Sequence, residues 1–252
     1  MKKLVGVIIA LALGLAASGC GSSGSPASSE KTVQVFAAAS LNKVFTELGG
    51  KFEASHPGVK VKFNFDGSSG LVDQLKGGAK ADVFASADEK NMANAVDAKL
   101  TTGSQTVFAR NVLTLVTAPG NPKKITGLDS SLDGKKLVVC APEVPCGNAT
   151  NQLAEKLGVT LKPVSQESKV TDVLGKVTSG EADAGIVYVT DAKGAGGKVE
   201  TVAIKGSDQV VNNYPISVLA SAPQPDLAGE FVTLVTSQAG KDALSAAGFV
   251  TP

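Results

Sequence analysis

Strand-like and helix-like segments alternate along most of this chain, and this alternation restricts the fold more than any other feature. The stretches VQVFAAA (33–39), VKVKFNFD (59–66) and ADVFASA (81–87) each lead into a helix-like segment, and a second group begins at VLTLVTAPG (112–120). Short apolar runs that alternate with helical patterns predict βα units and a mainly parallel sheet. We therefore expect an α/β protein.

The two βα groups predict two lobes of similar size. The chain is expected to cross between them near Arg110 and again near Tyr214, which gives a first lobe of 33–112 and 217–252 and a second lobe of 113–216. Each lobe is predicted to be a mixed, mainly parallel sheet flanked by helices. Because ligands of open α/β sheets bind beyond the carboxyl ends of the strands, the small residues at those ends should face a cleft between the lobes.

The last part of the sequence, GEFVTLVTSQAGKDALSAAGF, is predicted to be helical with a break at Gly240.

A 43% hydrophobic composition in 252 residues is enough for one large core or two modest ones.

The first residues predict a targeting segment. Lys2 and Lys3 precede the apolar run 4–17, which is shorter than the roughly 20 residues that span a bilayer, so 1–19 is predicted to be a signal peptide. The ending AASGC resembles a bacterial lipobox with Ala17 where leucine is usual, and Cys20 would be lipidated. The alternative is ordinary cleavage that releases a secreted protein.

The residues after Cys20 are rich in Gly and Ser, and 20–32 is predicted to be the lipidated cysteine and a flexible linker. The expected location is the extracytoplasmic side of the cell membrane. An exported chain meets oxidising conditions, in which the two remaining cysteines can pair.

Charge and composition exclude nucleic acid as an expected partner. Without the predicted signal peptide the chain has 22 basic and 23 acidic residues, Trp is absent, and Arg110 is the only arginine. Such a chain offers neither a basic surface nor stacking platforms.

Catalytic motifs are also absent from the sequence. A Ser/His/Asp triad would need the single histidine, His56, whose neighbour Pro57 predicts a solvated loop. The cysteines lack the spacing of a zinc site, and no phosphate-binding glycine loop follows a strand. We expect a protein that is not an enzyme and has no cofactor. A hydrolase with Ser40 or Ser68 as nucleophile, and an adhesion or scaffold lipoprotein, remain the alternatives from other classes.

Hydroxyl groups and free backbone amides recur at predicted helix starts. Ser40 follows the first strand and is predicted to cap the helix from Leu41, and Ser68 lies in FDGSSGL. Cys146 in EVPCGNAT and Val170 in KVTDVL open later helices, and Tyr188 ends the strand GIVY. Helix N-termini offer unpaired N–H groups and a positive dipole end to an anion.

These stretches, in this order, resemble one family. VFAAASL, FDGSSGL, ADVFASAD, APEVPCG and AGIVYVTDA are similar to the molybdate-binding proteins of bacterial ABC importers, which have the type II periplasmic binding protein fold. The resemblance covers 33–252. It implies a two-lobed protein, expected as a monomer, that captures molybdate and tungstate and delivers them to a membrane permease. Sulfate or phosphate binding by the same fold is the alternative.

Carried over residue by residue, the resemblance implies oxyanion contacts without any direct metal ligand. The implied contacts come from the hydroxyls and amides of Ser40 and Ser68, the backbone N–H groups of Cys146 and Val170, and the hydroxyl of Tyr188.

Two further residues bear on this implied site. Cys146 stands where the family often has alanine, and we hypothesise a disulfide with Cys140 that holds the Cys146 amide in place, the alternative being two reduced thiols. Asp66 is expected to point away from the site and cap the turn at Gly67, the alternative being that it accepts a proton from phosphate.

Overall fold

The computed structural model describes residues 30–252. In this part of the chain the strands form two sheets of five strands each. The strands are β1 (Lys31–Ala38), β2 (Val59–Asp66), β3 (Val83–Ala85), β4 (Thr106–Asn111), β5 (Leu113–Thr117), β6 (Leu137–Cys140), β7 (Ser165–Glu167), β8 (Ala184–Tyr188), β9 (Glu200–Val202) and β10 (Asn212–Val218). The helices are α1 (Asn42–Ser55), α2 (Ser68–Lys76), α3 (Glu89–Asp97), α4 (Pro145–Leu157), α5 (Val170–Thr178), α6 (Val189–Ala195), α7 (Pro225–Thr236) and α8 (Gln238–Ala247). The α/β class is confirmed.

The predicted signal peptide and Cys20 lie outside the described residues. Strand β1 begins at Lys31, so the predicted linker 20–32 extends two residues into the fold. No helix within residues 30–252 is both long and apolar enough to cross a membrane.

The two sheets share one pattern of strand directions. The first has the order β2-β1-β3-β10-β4 and the second the order β7-β6-β8-β5-β9. In each sheet one strand, β10 or β5, is antiparallel to both of its neighbours, and the other strands run in a common direction. The sheets are therefore mixed and mainly parallel, as predicted.

The chain crosses between the sheets twice, at neighbouring places. Only Val112 separates β4 from β5, and the return runs through 203–211 between β9 and β10. The predicted boundary after residue 216 falls inside β10, because Asn212 already pairs with Asn111 in the first sheet. Residues 212–216 therefore belong to the first sheet, and the two crossings lie side by side.

Helices cover both faces of the first sheet, which explains why its strands are apolar on both sides. In β1, Val33, Val35 and Ala37 point into the cluster formed with α1, α7 and α8, whereas Phe36 joins the cluster formed with α2 and α3. The second sheet has its own buried cluster, with α4 and α5 packed on it. Each lobe thus buries a separate core.

The break in the C-terminal helical segment lies at Ser237, and the prediction of Gly240 was wrong. Ser237 ends α7 and caps α8, since its Oγ accepts a hydrogen bond from Gly240 N at 3.3 Å. A Cβ on Gly240 would lie 2.1 Å from the carbonyl oxygen of Val235. The glycine therefore permits the close approach of the two helices, and the serine makes the turn.

His56 lies in the bend that follows α1, so the predicted loop position is confirmed. Its side chain is hydrogen-bonded and only 26% exposed, so it is not the freely solvated residue that was expected. Its ring stacks on Phe52 with centroids 4.0 Å apart. Nδ1 lies 2.9 Å from the Phe52 carbonyl oxygen and Nε2 lies 2.7 Å from Glu230 Oε2 on α7. Because both ring nitrogens face acceptors, the doubly protonated ring is favoured, and the pKa of His56 is raised above its ordinary value.

This pair predicts a pH-dependent contribution to stability. A raised pKa in the folded state gives stabilisation that is complete below the unfolded pKa of about 6.5 and disappears as pH rises through the folded pKa. We expect His56→Gln to lower the free energy of unfolding by about 0.2–1 kcal/mol at pH 5.5 and by less at pH 9, as measured by urea unfolding.

Asp191 titrates in the same pH range, because burial raises its pKa to about 7. Its contribution is the same in wild type and variant, so the difference in unfolding free energy between them isolates the effect of the His56 imidazole. Glu230→Gln should remove part of the same pH dependence. A constant difference between wild type and His56→Gln across this range would contradict the prediction.

Candidate functional site

One small pocket between the lobes brings together all the residues that the sequence singled out as ligand contacts. It is lined by Ser40, Ser68, Cys146, Val170 and Tyr188, together with small residues such as Ala38, Ala39 and Ala87. Its volume is about 10 Å³, which is room for the centre of about one water-sized sphere. A pocket of this size has no room for a nucleotide or a sugar.

The first lobe contributes the ends of two neighbouring parallel strands. Ala38 and Asp66 are register partners at the ends of β1 and β2, so the turns that follow lie side by side. Ser40 lies in the short 3-10 turn after β1, and Ser68 is the first residue of α2. Ser68 is fully buried, and its Oγ accepts a hydrogen bond from Ala87 N at 3.0 Å.

The prediction that Ser40 caps a helix was wrong. Neither the 3-10 turn nor α1 has a side-chain cap, and Ser40 Oγ instead lies 3.0 Å from the hydroxyl oxygen of Tyr214. The 3-10 turn places Ser40 inside the turn and not before it. Its hydroxyl is therefore turned toward the interior between the lobes.

The second lobe contributes two helix N-termini that also lie next to each other. Cys140 and Glu167 are register partners at the ends of β6 and β7, and α4 and α5 follow them. Cys146 lies in the first turn of α4, after Pro145, and Val170 is the first residue of α5. First-turn amides have no partner inside their own helix, so these N–H groups are available to a ligand.

A disulfide joins Cys140 at the end of β6 to Cys146 in the first turn of α4. It closes a loop with a sequence separation of 6, which corresponds to about 2 kcal/mol in the chain-entropy model. Gly147 completes the tight turn, because a Cβ there would lie 1.9 Å from the Ala141 carbonyl oxygen. The Cys146 amide is thus held by a covalent bond and by close packing.

Tyr188 ends β8 at the base of the pocket. It is 1% exposed, and its hydroxyl has no hydrogen-bond partner among residues 30–252. A buried polar group without a partner is costly, so such a group in a binding pocket marks a place for a ligand atom. Burial, followed by the neighbouring Tyr214 and buried carboxyl groups, raises the pKa of Tyr188 well above its ordinary value, which keeps the hydroxyl protonated.

No lysine or arginine lines this pocket in the described part of the chain. Its one charged residue is Asp66, whose Oδ1 accepts a hydrogen bond from Gly67 N at 2.8 Å and whose Oδ2 accepts one from Gln74 Nε2 at 3.2 Å. The predicted hydrogen bond at the Gly67 turn is confirmed, but the expectation that Asp66 points away from the site was wrong, because Asp66 lines the pocket. Below the pocket, Asp191 accepts a hydrogen bond from Tyr188 N at 3.1 Å.

Two larger cavities lie elsewhere. One of about 530 Å³ lies on the second lobe, between 128–137 and 159–164, and contains none of the predicted contacts. The other, of about 580 Å³, is a groove between α1 and α8 of the first lobe and α5 and α6 of the second. It reaches Ser40 but none of the other predicted contacts. The small pocket is the one where free amides and hydroxyls converge.

A polar chain beside the pocket was missed by the sequence reasoning. It runs from Ser40 through Tyr214 to Asn111, whose Nδ2 lies 3.5 Å from the Tyr214 hydroxyl and 2.8 Å from Thr190 Oγ1. These residues lie far apart in sequence and on separate elements, so no local pattern brings them together. Thr190 belongs to α6, so the chain links the two lobes.

The lobes are also in close contact at the mouth of the pocket. A Cβ on Gly67 would lie 2.2 Å from the carbonyl oxygen of Ser168, which precedes α5 in the other lobe. Asn91 Nδ2 on α3 donates a hydrogen bond to the Glu143 carbonyl oxygen at 3.4 Å, again from one lobe to the other. The two lobes therefore touch each other beside the pocket.

Comparison with known proteins gives one consistent family. Residues 33–250 match the family model described as bacterial extracellular solute-binding protein. The chain is 48% identical over 241 residues to the molybdate-binding protein ModA of Mycobacterium tuberculosis, covering 92% of each.

Solved structures show the same fold. A periplasmic molybdate-binding protein of Azotobacter vinelandii matches with a TM-score of 0.77 at 22% identity, covering 87% of this chain and 99% of the other. A sulfate-binding protein of Mycobacterium tuberculosis matches with a TM-score of 0.72 at 20% identity, covering 88% and 87%. Since these two neighbours bind different anions, the fold by itself does not specify the ligand.

The contact at Gly67 predicts a variant that cannot close. In Gly67→Ala the new methyl group would clash with the Ser168 carbonyl, and separating the lobes relieves the clash without disturbing either core. We expect a larger radius of gyration than in wild type by small-angle X-ray scattering.

Gly70→Ala is the matched control from the same GSSG motif. Its Cβ would lie 3.5 Å from Asp66 Oδ2, an ordinary contact, and alanine in a helix is favoured over glycine by about 0.5–1 kcal/mol. This control should keep the wild-type dimensions. Equal dimensions for Gly67→Ala and wild type would contradict the proposed closing contact.

Proposed function

We propose, from the premise that this chain belongs to the family of bacterial extracellular solute-binding proteins, that it captures molybdate and delivers it to an ABC importer. The observation that carries the proposal is the Tyr188 hydroxyl, which is buried without a hydrogen-bond partner among residues 30–252. Its pocket also receives the N-termini of three helices, and no basic side chain of the described residues lines it.

The chemistry of the pocket favours an anion that carries no proton. Its polar contacts are backbone N–H groups, which only donate, and hydroxyl groups, which can do both. Ser68 Oγ already accepts from Ala87 N, and the oxygens of Asp66 are already engaged with protein donors, so the pocket mainly offers donors. Molybdate is a tetrahedral dianion without a proton at neutral pH, so its oxygens only accept. Phosphate at that pH retains a proton and would require an acceptor.

Helix dipoles supply the attraction that cationic side chains would otherwise give. The N-termini of α2, α4 and α5 point at one pocket, and each carries about half a positive charge. Hydrogen bonds to a charged group contribute about 1.5–3 kcal/mol each, so five donors give on the order of 10 kcal/mol, which corresponds to micromolar affinity or tighter.

Preorganisation of the donors reduces the free-energy cost of ordering the site when the anion binds. The Ser68 hydroxyl is fixed by Ala87 N, and the Cys146 amide is fixed by the disulfide to Cys140. Closure of the lobes removes water from the pocket, which strengthens each of these contacts. The closed protein is then the form that the permease of an importer would recognise.

The finer points of the assignment are part of this proposal. Tungstate, which has the same charge and shape, is expected to bind as well. Lipidation of Cys20 would hold the protein at the outer side of the cell membrane as a monomer, within reach of the permease. No catalytic residue is assigned. The single histidine, His56, follows the C-terminal end of α1 and is hydrogen-bonded to Glu230 on α7.

The direct test is a panel of oxyanions. At a molybdate concentration about 100 times the dissociation constant, binding should stabilise the folded protein by about 2.7 kcal/mol, or about 5–10 °C in the midpoint of thermal unfolding. Tungstate should act similarly, and phosphate should act only at much higher concentration.

Isothermal titration calorimetry with four anions, molybdate, tungstate, sulfate and phosphate, ranks them by affinity. A preference for sulfate or phosphate over molybdate would replace the proposed ligand by the alternative of the same fold. No shift with any of the four would contradict solute binding of this class.

Tyr188→Phe should separate ligand binding from stability. The variant removes one donor to the anion, so molybdate should bind about 10- to 100-fold more weakly by calorimetry. Because the hydroxyl has no partner within the described residues 30–252, the ligand-free variant should be as stable as wild type or more so.

Ser217→Ala is the opposite control. Ser217 is also buried, but it lies outside the pocket and donates a hydrogen bond to the carbonyl oxygen of Val218 at 3.1 Å. It should lower stability and leave molybdate affinity unchanged. Wild-type affinity in Tyr188→Phe would remove Tyr188 from the proposed contacts.

A further inference from the structure

Tyr214 lies beside the pocket without lining it, in a position that is fixed on all sides. It is fully buried on β10, and its ring makes edge contacts with Phe249 and Tyr188 at centroid distances of 5.4 and 6.0 Å. Its hydroxyl oxygen lies 3.0 Å from Ser40 Oγ. Distance alone leaves open which of the two hydroxyls donates to the other.

The orientation of Asn111 decides the direction. Asn111 Oδ1 accepts a hydrogen bond from Val112 N at 3.0 Å, which turns Nδ2 toward Tyr214 and Thr190. An amide nitrogen can only donate, so the Tyr214 oxygen accepts from Asn111. Of the two hydrogen-bond partners of the Tyr214 hydroxyl among residues 30–252, only Ser40 Oγ can accept its proton. The Ser40 proton is then left for the pocket.

Ser68 shows the same arrangement by a different route. Its Oγ accepts from the backbone N–H of Ala87 at 3.0 Å, so its proton is also free to point into the pocket. One serine is oriented by a backbone amide and the other by a tyrosine side chain. Both hydroxyls are thereby set to donate to an anion.

We propose that Tyr214 is a positioning residue for the ligand, which directs the Ser40 hydroxyl proton into the pocket through the chain from Asn111. The proposal rests on the proposed function, since the pocket must receive an anion for a fixed donor to matter. Asn111 is the last residue of β4 before the chain crosses to the second lobe, and its partner Thr190 lies in that lobe. The orienting chain is therefore anchored where the chain crosses from the first lobe to the second.

The test measures molybdate affinity of Tyr214→Phe in three backgrounds by calorimetry. In wild type the change should weaken binding about 5-fold, because Ser40 loses its orienting donor. In Ser40→Ala the same change should have an effect of less than about 2-fold, since no hydroxyl remains to be oriented.

Ser68→Ala is the matched background, because Ser68 is oriented without Tyr214. There Tyr214→Phe should still cost about 5-fold. A merely structural role of Tyr214 would reduce affinity by the same factor in both serine variants, and that result would overturn the proposal.

Two further outcomes are separable. If wild type does not bind molybdate at all, the proposed function fails and not the orienting chain. If Tyr214→Phe does not fold, as judged by thermal unfolding and near-ultraviolet circular dichroism, Asn111→Ala interrupts the same chain at its other end. It should show the same dependence on Ser40, and an effect independent of Ser40 would overturn the proposal.

Discussion

Unpaired amide groups at the beginnings of α2, α4 and α5 are the constraint around which the rest of the structure is arranged. A helix cannot satisfy its own first N–H groups, and three such ends point at one pocket with no basic side chain beside them. The parallel strands bring the helix starts to one edge of each sheet, and the pairing of the two sheets brings the edges together. The small residues at the strand ends keep this meeting point free of side chains.

Much of this arrangement could be predicted because it depends on local sequence. Strands that end in small residues, followed by amphipathic helices, fix the βα units, and the ends of those units predicted Ser68, Cys146, Val170 and Tyr188 as neighbours in the pocket. What failed depends on contacts between distant residues. Ser40 has the sequence of a helix cap, but Tyr214 on a strand far along the chain takes its hydroxyl.

The error at Gly240 is an exception, because it is local. Gly240 looked like a helix break, yet the carbonyl oxygen of Val235 lies where a Cβ would be, and Ser237 makes the turn. The remaining errors come from tertiary contacts. His56 looked like a solvated loop residue, yet Glu230 on α7 reaches it. The edge of β10 could not be located because its residues pair with β3 and β4, which are distant in sequence.

The donors are divided between the lobes, with Ser40 and Ser68 on one side and Cys146, Val170 and Tyr188 on the other. When the halves part, the five contacts are divided two and three between them, and no lysine or arginine of the described pocket lining stays with either set. Release therefore requires no chemical step and no change of protonation. A partner that pulls the lobes apart by a few ångströms would discharge the cargo, so the same geometry that gives tight capture makes unloading a mechanical event.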